Sequence, residues 1–193
     1  MSRQPKILAF AGSTRKESFN NRLVKIAAKS AKASGAQVTI ANLNDYPVPL
    51  FDQDLEKEKG QPEKAKQFKA LMVAHDGFLI SSPEYNSSIT AVLKNMLDWV
   101  SRPVEGESSL IAFKGKVATL MSTSPGGLGG LRGLVHVRSI LSNLGVIVLP
   151  EQAAIPAAHN AFAEDGSLND PKDQDKIEAL GSGITKVLQK FCS

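Results

Sequence analysis

Lys6-Ile7-Leu8-Ala9-Phe10-Ala11-Gly12-Ser13-Thr14-Arg15-Lys16-Glu17-Ser18-Phe19-Asn20 carries the chain from an apolar run into a helical pattern through a short polar loop. Lys6 to Ala11 has the length and continuous apolar character of a buried strand. Asn20 to Ser34 places Leu23, Val24, Ala27, Ala28 and Ala31 at helical spacing and stops at Gly35. The loop between them reads as a phosphate cradle. Gly12 frees the turn off the strand end, and the Ser13, Thr14 and Ser18 hydroxyls can donate to phosphate oxygens. Arg15 adds a fixed charge with a forked set of donors, and the helix behind points its free amide groups and positive dipole end at the same place. Any one of these residues is explained as well by turning the chain and capping a helix; the cluster together with Arg15 is what points to phosphate.

Neither familiar nucleotide loop is present. No Gly-Lys-Ser or Gly-Lys-Thr occurs anywhere in the chain, which disfavours ATP, and Gly12 stands alone where a dinucleotide fingerprint needs three spaced glycines. Hydroxyls in place of glycines suit a terminal phosphomonoester held by side chains.

Outward from this stretch, strand-like and helix-like segments alternate. Gln37 to Leu43 is the second strand, Tyr46 to Leu50 a proline-broken loop, and Pro62 opens a helix reaching His75. Gly77 to Ser82 is the third strand. Ser88 to Val100 is a helix in which Trp99 is read as core, and Lys116 to Ser122 the fourth strand. Leu131 to Leu144 is a helix, Val146 to Leu149 a short fifth strand, and about Lys172 to Lys190 a last helix. Five βα units with continuous apolar strands predict a doubly wound, five-stranded parallel sheet with helices on both faces, and 193 residues suit a single domain spanning 1–193.

In such a sheet the ligand sits outside the carboxyl ends of the strands. That rule selects three unusual loops. Besides the first, the loop after strand three, Ser82-Pro83-Glu84-Tyr85-Asn86-Ser87, offers an aromatic ring, an amide and free backbone. The loop after strand four, Ser122-Thr123-Ser124-Pro125-Gly126-Gly127-Leu128-Gly129-Gly130, removes side chains where something flat approaches the backbone. A flavin ring needs such a setting: bare or apolar backbone on its faces and amide donors along its polar edge.

Charge and composition exclude other classes. The net charge of +4 suits an anionic ligand, but lysines interleave with acids, as in Glu56-Lys57-Glu58-Lys59, and no basic stripe with interleaved aromatics marks a nucleic-acid binder. His75, His136 and His159 are scattered, so no metal site is expected. Cys192, the one cysteine, reads as an incidental thiol. No long apolar run or charged-then-apolar leader is present, so no membrane span is expected and the location is taken as cytoplasmic.

Three motifs in order then resemble the NADPH-dependent FMN reductase family, which includes chromate, quinone and azo-dye reductases. They are Gly12-Ser13-Thr14-Arg15-x-x-Ser18-x-Asn20-x-x-Leu23; Pro83-Glu84-Tyr85-Asn86 followed by Leu93-Lys94-Asn95-x-x-Asp98-Trp99; and Ser124-Pro125-Gly126-Gly127. The resemblance implies a flavodoxin-like fold, bound FMN, NADPH or NADH as donor, a small-molecule acceptor, and a homodimer or homotetramer. Carried over by position, Ser13, Arg15, Ser18 and Asn20 would hold the FMN phosphate. Pro83, Glu84, Tyr85 and Asn86 would lie along the isoalloxazine and ribityl chain, with Ser124 and Gly126 closing the other side. The chain departs from the family after Asn86, where Gly-Ser is common and Ser87-Ser88 stands here, and at Thr14, where a bulkier apolar residue is common. No catalytic acid or base is assigned; Glu84, Tyr85 and Arg102 are candidates for positioning the donor. A flavodoxin-type electron carrier and a non-catalytic flavin-sensing module are the alternatives.

Overall fold

The computed structural model describes residues 3–191; Cys192 lies outside them. Five strands form one wholly parallel sheet: β1 (Lys6–Ala11), β2 (Gln37–Ala41), β3 (Gly77–Ser81), β6 (Val117–Thr123) and β7 (Ile147–Ile155). Their order is β2-β1-β3-β6-β7. This is the flavodoxin-like order, with its switch point between β1 and β3, the central strands whose following loops diverge to opposite faces. A two-stranded antiparallel hairpin, β4 (Glu84–Tyr85) and β5 (Ser88–Ile89), stands apart from the sheet.

Alternate residues of β1 serve the two layers, as strand geometry requires. Leu8 and Phe10 join a core with Phe68 and Met72 of α3 (Glu63–Ala74), Leu93 and Leu97 of α4 (Ala91–Val100), and Leu134 and Val137 of α5 (Leu131–Asn143). Ile7 and Ala9 face Leu23 and Ala27 of α1 (Phe19–Ala33) and Ile177 and Ile184 of α6 (Pro171–Phe191). The two helices of this second layer touch backbone to backbone. A Cβ on Gly181 would lie 2.1 Å from the Ala27 carbonyl oxygen, so only glycine allows the crossing that seats α1 against the sheet.

Four elements differ from the sequence expectation. A short helix, α2 (Gln53–Lys59), occupies what reads as loop; it buries no residue, so it leaves no apolar period to detect, although the Asp52 carboxylate caps it by accepting from the Asp54 and Leu55 amides. The helix expected from Ser88 begins at Ala91, because Thr90 caps it and the preceding residues form the hairpin. β2 is shorter than expected, passing into a 3₁₀ turn at Leu43–Asp45. β7 runs past Pro150, where the sequence suggests an end: it is an edge strand, and its register against β6 shifts between Ala118 and Leu120, which accommodates a residue with no amide proton.

Trp99 is fully buried, its indole N–H donating to the Pro49 carbonyl at 2.8 Å. The long connection after α4 is anchored to its own chain rather than free: Glu107 accepts from the buried Lys69 ammonium, Arg102 pairs with Glu56, and Ala112 and Phe113 are fully buried.

Candidate active site

The loops after β1, β3 and β6 meet over the carboxyl ends of the central strands and enclose a cleft of about 210 Å³. Gly12 is required there by contact rather than by an unusual turn: a Cβ would meet Leu93 of α4 at 2.9 Å, while its carbonyl accepts from Thr90 Oγ1 at 2.6 Å. Ser13 and Ser18 are buried in the cleft wall. Ser13 Oγ accepts from the Arg15 amide at 3.3 Å, and Ser18, at the N-cap of α1, makes no capping bond. Both hydroxyl protons are therefore free to donate. The first backbone donor of α1 to find an acceptor is Arg22, bonded to the Ser18 carbonyl at 3.2 Å, and its first turn holds no acid; the preceding amides have no acceptor among the described residues. Arg15 is exposed and lies over the Phe19 ring at 5.0 Å, and no carboxylate of the described residues pairs with it.

These groups form a preorganised anion cradle: two free hydroxyls, a run of unpaired amides and an unneutralised guanidinium, with no acid among them. A phosphate fits it. Thr14, by contrast, is exposed and does not line the cleft; its carbonyl accepts from the Asn44 amide at 2.8 Å.

Asn20 has a different task from the one the motif suggests. Its Oδ1 accepts from Ser81 Oγ at 2.8 Å and from the Thr123 amide at 3.1 Å, and its Nδ2 donates to the Thr123 carbonyl at 2.8 Å. The side chain ties α1 to the ends of β3 and β6, leaving only its backbone amide for a ligand.

Glu84 is likewise occupied. Its carboxylate accepts from Arg132 Nε at 2.8 Å and from the Gly133 amide at 3.1 Å, so it caps the start of α5. Burial alone would raise this carboxyl, but the bonds from Arg132 and Gly133 and the Arg132 charge outweigh it and hold the group below its ordinary value. It is therefore a fixed carboxylate and no proton donor. Tyr85 projects from the hairpin, 60% exposed, and Pro83 lines the cleft beside it. Asn86 lies outside the lining, at the hairpin tip. Arg102 is held by Glu56 and lies over Phe51, among residues that do not line the cleft, which removes it as a positioning candidate.

In the loop after β6, Ser124 and Pro125 line the cleft, while Gly126 lies outside the lining, where a Cβ would meet only Ser124 Oγ at 3.8 Å. Gly129 and Gly130 serve packing instead. A Cβ on Gly129 would lie 2.6 Å from the Ile155 backbone, and one on Gly130 would strike Ser122 Oγ, and both have positive φ. Half of the glycine run thus folds the loop onto the sheet. Phe19, Thr123 and Pro125 complete the lining without having been singled out; Thr123 enters because β6 extends one residue past the expected end.

A larger cavity, about 470 Å³, runs along the flank of α1 between Lys25, Lys29 and the 164–167 loop. It carries both signs of charge and lies away from the convergence of the three loops. Among the described residues no cluster of His, Cys, Asp or Glu is arranged for a metal, and no helix is long and apolar enough to cross a membrane.

Residues 5–160 match the family model described as NADPH-dependent FMN reductase. An NAD(P)H-dependent FMN reductase of Pseudomonas aeruginosa is 34% identical over 92% of each chain. A probable NADPH:quinone oxidoreductase of Oryza sativa is 33% identical over 91% of this chain and 84% of its own. Among solved structures, the flavoenzyme NAD(P)H:(acceptor) oxidoreductase FerB of Paracoccus denitrificans superposes with a TM-score of 0.81 at 28% identity, covering 96% of this chain and 98% of that one.

Proposed function

From the premise that the chain belongs to the NADPH-dependent FMN reductase family, we propose that it is an FMN-containing oxidoreductase that takes electrons from NADPH or NADH and reduces a quinone-type acceptor. Ser13, Arg15, Ser18 and the first amides of α1 hold the FMN phosphate, with Asn20 keeping the helix end in place. Pro83, Tyr85 and the backbone to Asn86 lie along one side of the ring and ribityl chain, with Ser124 and Gly126 along the other. The carrying observation is the unneutralised Arg15 beside two free hydroxyls at an acid-free helix start.

FMN held there would supply the redox chemistry that carries electrons from the nicotinamide donor to a quinone, chromate, an azo compound or free flavin. The protein's part is binding and orientation. No free carboxylate lines the cleft, since Glu84 is bound by Arg132 and Gly133. The cleft, about 210 Å³, is open to solvent, which would leave a bound ring within reach of donor and acceptor.

The same reading takes the 193 residues as one cytoplasmic domain that self-associates as a homodimer or homotetramer, a neighbouring copy covering part of the open face. Light scattering giving a monomer at micromolar concentration would contradict the association. The absorption spectrum of the purified protein tests the function: flavin bands that bleach with anaerobic NADPH, and FMN released on heating, are expected. FAD in the extract, or no flavin uptake after reconstitution, would overturn it.

A further inference from the structure

Four side chains form a ladder running outward from the cradle. Arg15 lies over Phe19 at 5.0 Å, Phe19 stacks on Phe162 with centroids 6.0 Å apart and planes within 6°, and Arg22 lies over Phe162 at 4.4 Å. A guanidinium group thus lies over each ring of a parallel pair.

The two ends of the ladder are not equally constrained. Arg22 Nη2 donates to the Ala163 carbonyl at 3.0 Å, and Phe162 bridges to Leu168 across a small hairpin. The Asp165 carboxylate closes that hairpin by accepting from the Ser167 amide at 3.0 Å and its hydroxyl at 2.6 Å, and the Leu168 side chain is buried in the α1–α6 layer. Phe162 is therefore fixed by groups that take no part in the cradle. Among the described residues, Arg15 has only the Phe19 ring to orient it.

An arginine that grips a phosphate loses rotamer freedom, and a surface that already holds it in place reduces that loss. The face of an aromatic ring is such a surface for a guanidinium. Phe19 can offer its face only while its own ring is set, and Phe162 sets it by stacking on it.

We propose that Phe162 is a positioning residue: through Phe19 it holds Arg15 over the cradle before any ligand arrives, and so sets the preference for a phosphorylated flavin over the same flavin without its phosphate. This rests on the FMN reading above. Phe162 lies beyond residues 5–160, the stretch that the family model covers, in the excursion between β7 and α6. One rung of the ladder is therefore supplied by a part of the chain outside the family's three motifs.

The test titrates FMN and riboflavin separately into the flavin-free full-length protein, following flavin fluorescence, for wild type, Phe162→Leu and Phe162→Tyr. Leucine keeps apolar bulk and removes the ring face; tyrosine keeps both. Phe162→Leu is expected to weaken FMN about three- to tenfold, with riboflavin unchanged and Phe162→Tyr close to wild type. An unchanged FMN affinity in Phe162→Leu overturns the proposal. So does equal weakening of FMN and riboflavin, which would mark a general packing role. Should the leucine variant not fold by thermal unfolding, Phe162→Met repeats the comparison with an unbranched side chain. Wild-type protein that binds no FMN, or binds it no better than riboflavin, would instead defeat the reading of the cradle itself.

Discussion

Arg15 and Ser87 show how single residues bear on the site. Arg15 is an exposed cation with no carboxylate partner among the described residues, so removing it breaks no ion pair of the fold. Arg15→Ala is expected to weaken FMN by about 1.5–3 kcal/mol, the scale of a hydrogen bond to a charged group, with thermal stability unchanged; calorimetric titration checks this, and an unchanged affinity in a folded variant refutes it. Ser87 bears a local strain. It and Asn86 occupy left-handed backbone, φ 66° and 49°, at the two central positions of the β4–β5 hairpin. Asparagine suits the first and glycine the second. Ser87→Gly is therefore expected to raise stability by about 0.5–1 kcal/mol, seen as a higher urea midpoint; an equal or lower midpoint counts against it. That strain gives the Ser87-Ser88 departure from the family pattern a physical meaning. Ser13, Arg15 and Ser18 are legible in the sequence because the loop that carries them is local. The bonds of the Asn20 side chain are not legible in the same run, since its partners Ser81 and Thr123 lie 61 and 103 positions away.

Among the elements, α5 depends most on a distant group. Its N-cap is Gly130, which has no side chain to offer, and Glu84 supplies the missing carboxylate from the hairpin. The folded carboxyl titrates below its ordinary value of 4.5. Its stabilisation is therefore complete above that pH and is lost as pH falls through the lower folded value. Glu84→Gln is expected to cost about 1–2 kcal/mol at neutral pH, and the unfolding curves of the two proteins should converge in acid. A constant difference down to the acid limit would show that the charge is not what holds the helix. The sequence shows a carboxylate suited to a helix start, but not that the helix in question begins nearly fifty residues later. α2 escapes the apolar period because it buries none of its residues.

For the whole molecule, the doubly wound order brings all three loops to one edge. The Gly181 contact with Ala27 presses α1 onto the sheet so that its N-terminus completes the cradle. Two cavities much larger than the cleft lie elsewhere, on the flank of α1 and beside α3, and each mixes lysines with acids. Under the proposed function, donor and acceptor use the same open face in turn. Parallel double-reciprocal lines are expected in steady-state kinetics with NADPH and a quinone, and anaerobic NADPH alone should bleach the flavin. Intersecting lines with a ternary complex would place the two substrates at separate sites, one of them contributed by a neighbouring copy.

By itself the sequence determined the alternation of strands and helices, the parallel sheet and the three loops at its edge. These follow from periodicity and punctuation carried by residues close together in the chain. Only the tertiary structure decided what each loop residue does there. It turned Asn20 into a tie between α1, β3 and β6, bound Glu84 to α5, and gave Gly129 and Gly130 to packing rather than to a ligand. It also brought Phe162 under Phe19. Each of these assignments depends on a partner that the chain delivers from far away, and a side chain's role is set by whichever hydrogen-bonding or packing partner reaches it first.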